Sequence, residues 1–311
     1  MPTDGDRPTG GSTAAVLGAR GFIGRAVVSA FEREGIRTTG LGSLDPAVTA
    51  GELHPAIAAA DSVVLVTGRS NPALAENDAS TATRELAESR ELFTALAHTA
   101  AGRTAGQRVF LASSGGAVYD TGIEPPYSED SPTARSSAYA ALKLDIEEAF
   151  LEGASAGSQR TVLRLSNVYG PGQRLGSGQG VVGHWLQAMV ADRPVRLFGD
   201  PATIRDYVYI DDVAAAFLHA HRAAAPLPPV VNVGSGEPTS LEELLKLVLQ
   251  AADRPQHPVE VVADRPFDRR HTWLDVSRAQ ARLGWRPEVS LAEGLRRTWQ
   301  RAVADEASSG G

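Results

Sequence analysis

Tyr139 and Lys143 stand four residues apart in SSAYAALKLDIEEAF, a spacing that stacks them on one face of a helix. An ammonium beside a phenol favours the ionised form, which makes the tyrosine a usable acid and base near neutral pH. The pair suits moving a proton on and off a hydroxyl. Just upstream, RVFLASSGGAVYD sets Ser113 and Ser114 past the end of a strand, where a serine hydroxyl can hold the same oxygen. A third group concerns phosphate: LGARGFIG spaces Gly18, Gly21 and Gly24 as G-x-x-G-x-x-G directly after an apolar run.

Each of these glycines has its own task. The first permits a tight turn, the second lets the backbone approach a pyrophosphate, and the third lets helix pack on strand. The helix that starts at Phe22 and Ile23 presents its first N–H groups and positive dipole end to the phosphates. A glycine-rich turn between strand and helix reads as a dinucleotide site. The end of the second strand says which dinucleotide, because an acid there accepts the ribose hydroxyls of NAD and repels the 2′-phosphate of NADP. That position is Gly42, followed by Ser43, and Asp45 comes three residues late. Arg20, directly before Gly21, can reach a 2′-phosphate, with Arg37 a weaker second. The missing acid and the available guanidinium point to NADP, with NAD as the alternative. Glu52 stands either near the adenine or as a surface acid. Lys143 can also hydrogen-bond the nicotinamide ribose.

The elements that must position these groups alternate along the chain. Short apolar runs at 14–17, 36–41, 62–66, 108–112 and 161–165 read as buried strands, and helices are predicted near 22–34, 83–101 and 137–152. This is an α/β chain with a doubly wound parallel sheet, covered on both faces. After residue 166 the pattern becomes glycine-rich and irregular, then gives short strands and helices near 181–190, 213–222, 241–252, 277–283 and 291–301, with Asp211 or Asp212 and Ser240 as N-caps. The expected organisation is a tail at 1–12, a dinucleotide-binding domain at 13–166 joined by returning segments near 207–233, a smaller cap at 167–303, and a second tail at 304–311.

Composition narrows the function. The 311 residues carry a formal net charge of −7, which argues against a nucleic-acid footprint. The chain has no cysteine, which removes disulfides, thiolate metal sites and thiol nucleophiles together. Seven scattered histidines give no metal site, with His219 and His221 on different faces of a predicted helix. No apolar run is long enough to span a membrane, and the N-terminus lacks a secretory h-region, so a cytoplasmic location is expected.

The motifs GARGFIG, LASSGGAVYD, YAALK, LRLSNVYGPG, RDYVYIDDVA, VVNVGSG and RPFD with the later LGWRP together resemble the extended short-chain dehydrogenase/reductase family, the nucleotide-sugar epimerases, dehydratases and ketoreductases. The resemblance spans about residues 13–303. It implies a Rossmann sheet with a sugar-binding cap, Tyr139 and Lys143 as the catalytic pair, a nucleotide-diphosphate sugar as substrate, and often a homodimer. It further implies Asn167 as a substrate-phosphate ligand, Arg205 as the contact to the diphosphate, and Arg265 and Asp268 as contacts to the nucleotide's phosphate and ribose. Tyr119 is expected to pack. The chain departs from the family where a Ser or Thr usually stands three residues before the Val-Tyr valine. Gly115 occupies that place, so Ser114 becomes the candidate catalytic serine. Gly116 and Ala117 replace the acidic pair of the dehydratases, which disfavours 4,6-dehydration and likewise sugar-acid decarboxylation. VTGRS at 66–70 replaces the usual His-Leu-Ala-type sequence. The expected reaction is NADPH-dependent reduction of an NDP-4-keto-6-deoxyhexose at C4, with Tyr139 as proton donor. The alternatives are an NDP-hexose 4-epimerase that retains NAD and a non-catalytic NAD(P) sensor.

Overall fold

The computed structural model describes residues 12–309 apart from 43, 69, 102–105, 156, 174–179 and 263–270. Its centre is a six-stranded parallel sheet made of β1 (Thr13–Leu17), β2 (Arg37–Leu41), β3 (Ser62–Leu65), β4 (Gln107–Ser114), β5 (Ser158–Leu165) and β6 (Val230–Val233), in the spatial order β6-β5-β4-β3-β1-β2. The strands are nearly continuous runs of buried Val, Leu and Ala, as a sheet covered on both faces requires. The chain steps from β1 outward to β2 and returns to β3 on the other side of β1. That reversal opens a crevice at the carboxyl ends of β1 and β3, where doubly wound sheets bind ligands.

Register decides what overhangs this crevice. Leu41, Leu17, Leu65 and Leu111 pair in one row across β2, β1, β3 and β4. β4 and β5 run three residues further, to the Ser114–Leu165 pair, and so carry Ser113 and Ser114 past the ends of β1 and β3.

Four helices cover the two faces: α1 (Phe22–Arg33), α2 (Ala79–Ala101), α3 (Ala138–Glu152) and α4 (Ile210–Arg222). Val27 and Phe31 of α1 and Val213 and Phe217 of α4 pack on one face. Leu92, Phe93 and Leu96 of α2 and Leu142, Ile146 and Phe150 of α3 pack on the other. A separate apolar cluster joins Trp185, Leu186 and Met189 from the helix Val181–Val190 with Leu197, Leu241, Leu244 and Leu295. Phe22 and Ile23 of α1 border it, so the start of α1 is held from both sides.

Two details differ from the sequence expectation. α4 starts at Ile210 with Tyr209 as N-cap, so neither Asp211 nor Asp212 caps it. Asp212 instead accepts from the N–H groups of Glu288 (3.1 Å) and Val289 (3.1 Å), which ties the approach to the last helix onto α4. That last helix runs from Leu291 to Ser309, through most of the span expected to be a tail, and carries an Arg301–Asp305 pair at 2.7 Å one turn apart. Ser240 does cap its helix, accepting from the N–H of Glu243 at 3.1 Å. Residues 1–11 lie outside the described residues.

Candidate active site

The turn from β1 into α1 leaves no room for side chains at its glycines. Gly18 sits at φ +86°, and a Cβ there would lie 2.7 Å from the Val66 carbonyl oxygen. A Cβ on Gly24 would collide with the Gly18 carbonyl, and one on Gly21 would lie 3.0 Å from the same oxygen. Gly21 is the N-cap of α1 and no side chain caps the helix, so the first-turn N–H groups at Phe22, Ile23 and Gly24 are offered at the crevice. The Arg25 guanidinium donates to the carbonyls of Arg20 (2.7 Å) and Gly172 (2.7 Å), which pins the turn to the NVYGPGQ loop. These features fit a dinucleotide pyrophosphate.

At the end of β2 the chain does supply a carboxylate. Asp45 folds back so that its Oδ2 accepts from the Gly42 N–H at 2.8 Å, and the Arg20 guanidinium lies 3.6 Å from the same oxygen. The Arg20 stem crosses the space a Gly42 side chain would fill, with Cδ 2.8 Å from that Cβ position. The acid that looked three residues late in the sequence therefore reaches the strand end through a turn. Ser43 lies outside the described residues. Glu52 is exposed on a short hairpin, Val48–Thr49 paired with Glu52–Leu53.

Tyr139 and Lys143 lie in the first turns of α3, whose N-cap Ser137 accepts from the Ala140 N–H at 3.1 Å. Lys143 Nζ is 5.5 Å from the centre of the half-buried Tyr139 ring. The same ammonium donates to Glu85 Oε1 of α2 at 3.1 Å, and both side chains are about nine-tenths buried. Glu85 Oε2 accepts from the Ser70 N–H at 2.8 Å. Burial pushes the Lys143 ammonium towards losing its proton, but Tyr139 and Glu85 outweigh it and hold its pKa above the ordinary lysine value. Burial likewise acts to raise the Glu85 pKa, and Lys143 outweighs it and holds the carboxyl below its ordinary range.

Successive strand residues point to opposite faces. Ser113 faces α3, is buried and donates to Glu147, which also takes Arg164 Nη2 at 2.7 Å. The Arg164 guanidinium lies over the Tyr119 ring at 4.9 Å, and buried Tyr119 donates to Asn232 Oδ1 at 2.6 Å, so Tyr119 packs. Ser114 is half-buried at the start of the one-turn helix Gly115–Val118, and no hydrogen bond joins it to Tyr139 or Lys143 among the described residues. Gly115 has a reason to lack a side chain, because a Cβ there would lie 2.7 Å from Leu274 Cδ1.

The expected sugar-side groups gather around Asp206. Asn167 is exposed, and its Nδ2 donates to the Asp206 carbonyl at 2.9 Å. Arg205 is half-buried, with Nη1 on the Ile204 carbonyl at 2.8 Å. Asp206 is not the surface ion-pair partner of Arg205. Its buried carboxylate accepts from Ser166 Oγ, from the N–H and Oγ of Ser235, and from the N–H groups of Gly236 and Leu274. Burial pushes its pKa upward despite these donors. Arg205 pairs in register with Thr272, just past the segment that carries Arg265 and Asp268, which lie outside the described residues. His221 hydrogen-bonds with Ser12 and Ser62 and His219 with the Leu283 carbonyl, so each has a structural partner.

The sequence reading missed Glu85, Glu147, Arg164 and Arg25. Two of them left a signal. Glu147 extends the Tyr139–Lys143 face by one more turn. Glu85 falls on the stripe that includes Leu92 and Leu96, and a carboxylate on an apolar stripe needs a buried partner. Among the described residues no helix is long and apolar enough to cross a membrane.

Comparison with known proteins follows the same lines. The UDP-glucose 4-epimerase of Mycolicibacterium smegmatis is 40% identical over 64% of this chain and 63% of its own length. The dTDP-4-dehydro-6-deoxyglucose reductase of Escherichia coli is 33% identical over 61% of this chain and 59% of its own. The chain thus spans about three fifths of the length of these curated relatives. The crystal structure of the Thermotoga maritima UDP-glucose 4-epimerase with UDP-glucose superposes with a TM-score of 0.82 at 28% identity, covering 94% of this chain and 99% of that one. The model of the NAD dependent epimerase/dehydratase family matches residues 14–234, and with the glycine turn, the strand-end carboxylate and the Tyr139–Lys143 pair in their places, the chain belongs to that family.

Proposed function

We propose that this protein binds NAD and exchanges a hydride at C4 of the hexose of a nucleotide-diphosphate sugar, working as a 4-epimerase. The observation that carries the reading is the Tyr139–Lys143 pair, a phenol with a buried ammonium 5.5 Å from its ring, at the carboxyl edge of the sheet. Bound NAD supplies a hydride acceptor that can return the hydride to either face of the sugar carbon. Tyr139 takes the proton of the C4 hydroxyl as the hydride leaves and gives it back when the hydride returns. Lys143 favours the phenolate during the first half. The first-turn N–H groups of α1 hold the pyrophosphate, and Asp45 receives the adenosine ribose. Asn167 and Arg205, with Arg265 and Asp268, would hold the sugar nucleotide, and Ser114 would orient the reacting oxygen. The dinucleotide part is assigned to 13–166 with segments of 207–233, and the sugar-binding part to 167–303. Two copies would pair through α2 and α3, which sedimentation at twice 32.7 kDa would support.

Asp45 tips the choice between epimerisation and net reduction. The sequence favoured NADPH and reduction because no acid stood at Gly42, and the fold-back of Asp45 onto the Gly42 N–H removes that ground. Reduction of an NDP-4-keto-6-deoxyhexose remains the second reading, favoured by the Arg20 side chain, which is 69% exposed and free to turn to a 2′-phosphate. Extraction of the purified protein should release NAD, and UDP-glucose should convert to UDP-galactose without added dinucleotide. Stoichiometric loss of NADPH with a dTDP-4-keto-6-deoxyhexose, and no conversion of UDP-glucose, would reverse the order. Dinucleotide binding with no turnover of either substrate class, unchanged by Tyr139→Phe, would instead indicate a sensor.

A further inference from the structure

Lys143 is more enclosed than a lysine that only meets a ribose needs to be. Its Nζ is held by Glu85 from α2, and Glu85 is held in turn by the Ser70 backbone. The backbone at Gly68 lies close to both groups: a Cβ there would be 3.6 Å from Nζ and 3.7 Å from Glu85 Oε1. Beside them is a cavity of about 20 Å³ lined by Thr67, Glu85, Ser89 and Lys143, room for a single water. We propose that Glu85 is the positioning residue of the proton-transfer pair, clamping Lys143 Nζ between α2 and the backbone at Gly68 and Ser70 and supplying a counter-charge to the ammonium.

Among the described residues, charged and titratable groups face Lys143 from its own helix, from the sheet and from α2. Tyr139 and Glu147 flank it on its own helix, one turn to each side. From the sheet, Arg164 points to Glu147 and engages both its oxygens, so Glu147 makes its hydrogen bonds to Arg164 and Ser113 and acts on Lys143 only at a distance. From α2 comes Glu85, which pairs with Lys143 at 3.1 Å. The 66–70 segment contributes backbone at Ser70 and the unobstructed Gly68. Burial opposes a charged amine by up to about 3–5 pH units when it is complete. Against that burial Lys143 has Tyr139 on its own helix and Glu85 across from it, and Glu85 is the carboxylate that is hydrogen-bonded to Nζ. A carboxylate fixed at both oxygens also fixes where Nζ points, leaving its two other protons for Tyr139 and the ribose.

The inference rests on the proton-transfer reading of Tyr139 and Lys143, but its test does not need turnover. Lys143 and Lys246 are the chain's two lysines, so protein labelled with [13Cε]lysine gives two side-chain signals, and Lys246→Arg assigns them. In the wild type Lys143 should hold its proton to higher pH than an ordinary lysine does. In Glu85→Gln its midpoint should fall by about two pH units, a ~100-fold loss of proton affinity. Glu85→Asp should restore most of the difference, which loss of packing alone would not. A wild-type Lys143 that titrates below the ordinary lysine value, or a midpoint that Glu85→Gln leaves in place, overturns the proposal even if a variant folds poorly, because the first result needs no variant. Where the wild type turns over substrate, the alkaline limb of its pH–rate profile should move down in Glu85→Gln by the same interval. Absence of turnover in the wild type would count against the enzymatic reading and leave the titration to decide the role of Glu85.

Discussion

Two cation–carboxylate pairs stand at the carboxyl edge of the sheet, and they are built for opposite purposes. Lys143 and Glu85 meet at 3.1 Å with side chains 10% and 8% exposed. Arg20 and Asp45 meet at 3.6 Å with side chains 69% and 37% exposed. Water screens the second pair, which can exchange partners at little cost and contributes under about 1 kcal/mol. The first pair has given up its hydration and is held together by necessity, since either partner alone would be an uncompensated buried charge. The buried pair fixes a geometry for chemistry. The exposed pair can choose between ligands.

The largest effects should come from the buried side. Tyr139→Phe removes the proton carrier and leaves Lys143–Glu85 in place, so turnover should fall by about 10²–10⁴-fold. Its urea midpoint should stay with the wild type, because the phenol makes no hydrogen bond among the described residues. Lys143→Met should do the reverse in stability, costing about 3–5 kcal/mol in urea unfolding because Glu85 is left buried without its cation. Adding Glu85→Leu to Lys143→Met should recover most of that loss, since replacing both charges by apolar groups removes the penalty. A double variant no more stable than Lys143→Met would mean the pair does not act as a unit.

The pH dependence of that double-variant comparison follows from the two shifts. Lys143 is raised above its ordinary 10.5, so its contribution is complete below that value and is lost as pH climbs through the folded pKa. Glu85 is lowered from its ordinary 4.5, so its contribution is present above that value and is lost as pH falls through the folded pKa. The stability difference between wild type and Lys143→Met/Glu85→Leu should be flat between the two limits and change at both ends. A slope near neutral pH would point to a different titrating group.

The same contrast explains what could be read from the sequence. The β1 turn, the row of parallel strands and the Tyr139–Lys143 face are written in local spacing, because strand and helix periods place neighbours predictably. Glu85 is 58 positions from Lys143 and meets it only because α2 and α3 pack side by side on one face of the sheet. Asp45 stands three positions past Gly42 in the sequence, and only the turn of the chain brings its carboxylate back to the Gly42 N–H, which counting along a straight strand does not show. Gly115 was noticed as a missing hydroxyl, while its cause, the Leu274 side chain, lies 159 positions away. Long-range packing, rather than composition or period, decided each of these.

A test between the extremes is Gly24→Ala. Its methyl would meet the Gly18 carbonyl, a backbone atom that cannot swing aside, so α1 must move off β1. The expected cost is about 1–3 kcal/mol. Dinucleotide affinity should fall with it, because the first-turn N–H groups move with the helix. Normal stability with lost binding would place the strain in the turn alone.

The smallest effects belong to the exposed pair, and they should appear in selectivity rather than stability. Asp45→Asn and Arg20→Ala should each leave the unfolding free energy within about 0.5 kcal/mol of wild type, as surface changes do. Their effects on the dinucleotide should have opposite signs. Asp45→Asn removes an acceptor for the ribose hydroxyls and a charge that repels a 2′-phosphate, so NAD should bind more weakly and NADP more tightly. Arg20→Ala removes the guanidinium beside Asp45, so NADP should lose and NAD should be little changed. An interaction with a charged group contributes about 1.5–3 kcal/mol, so the NADP/NAD affinity ratio should move by at least ~10-fold in each variant, measured by calorimetric titration of dinucleotide-free protein. If instead both variants moved the ratio the same way, Arg20 and Asp45 would be acting only on each other, and the strand end would carry no discrimination between the two dinucleotides.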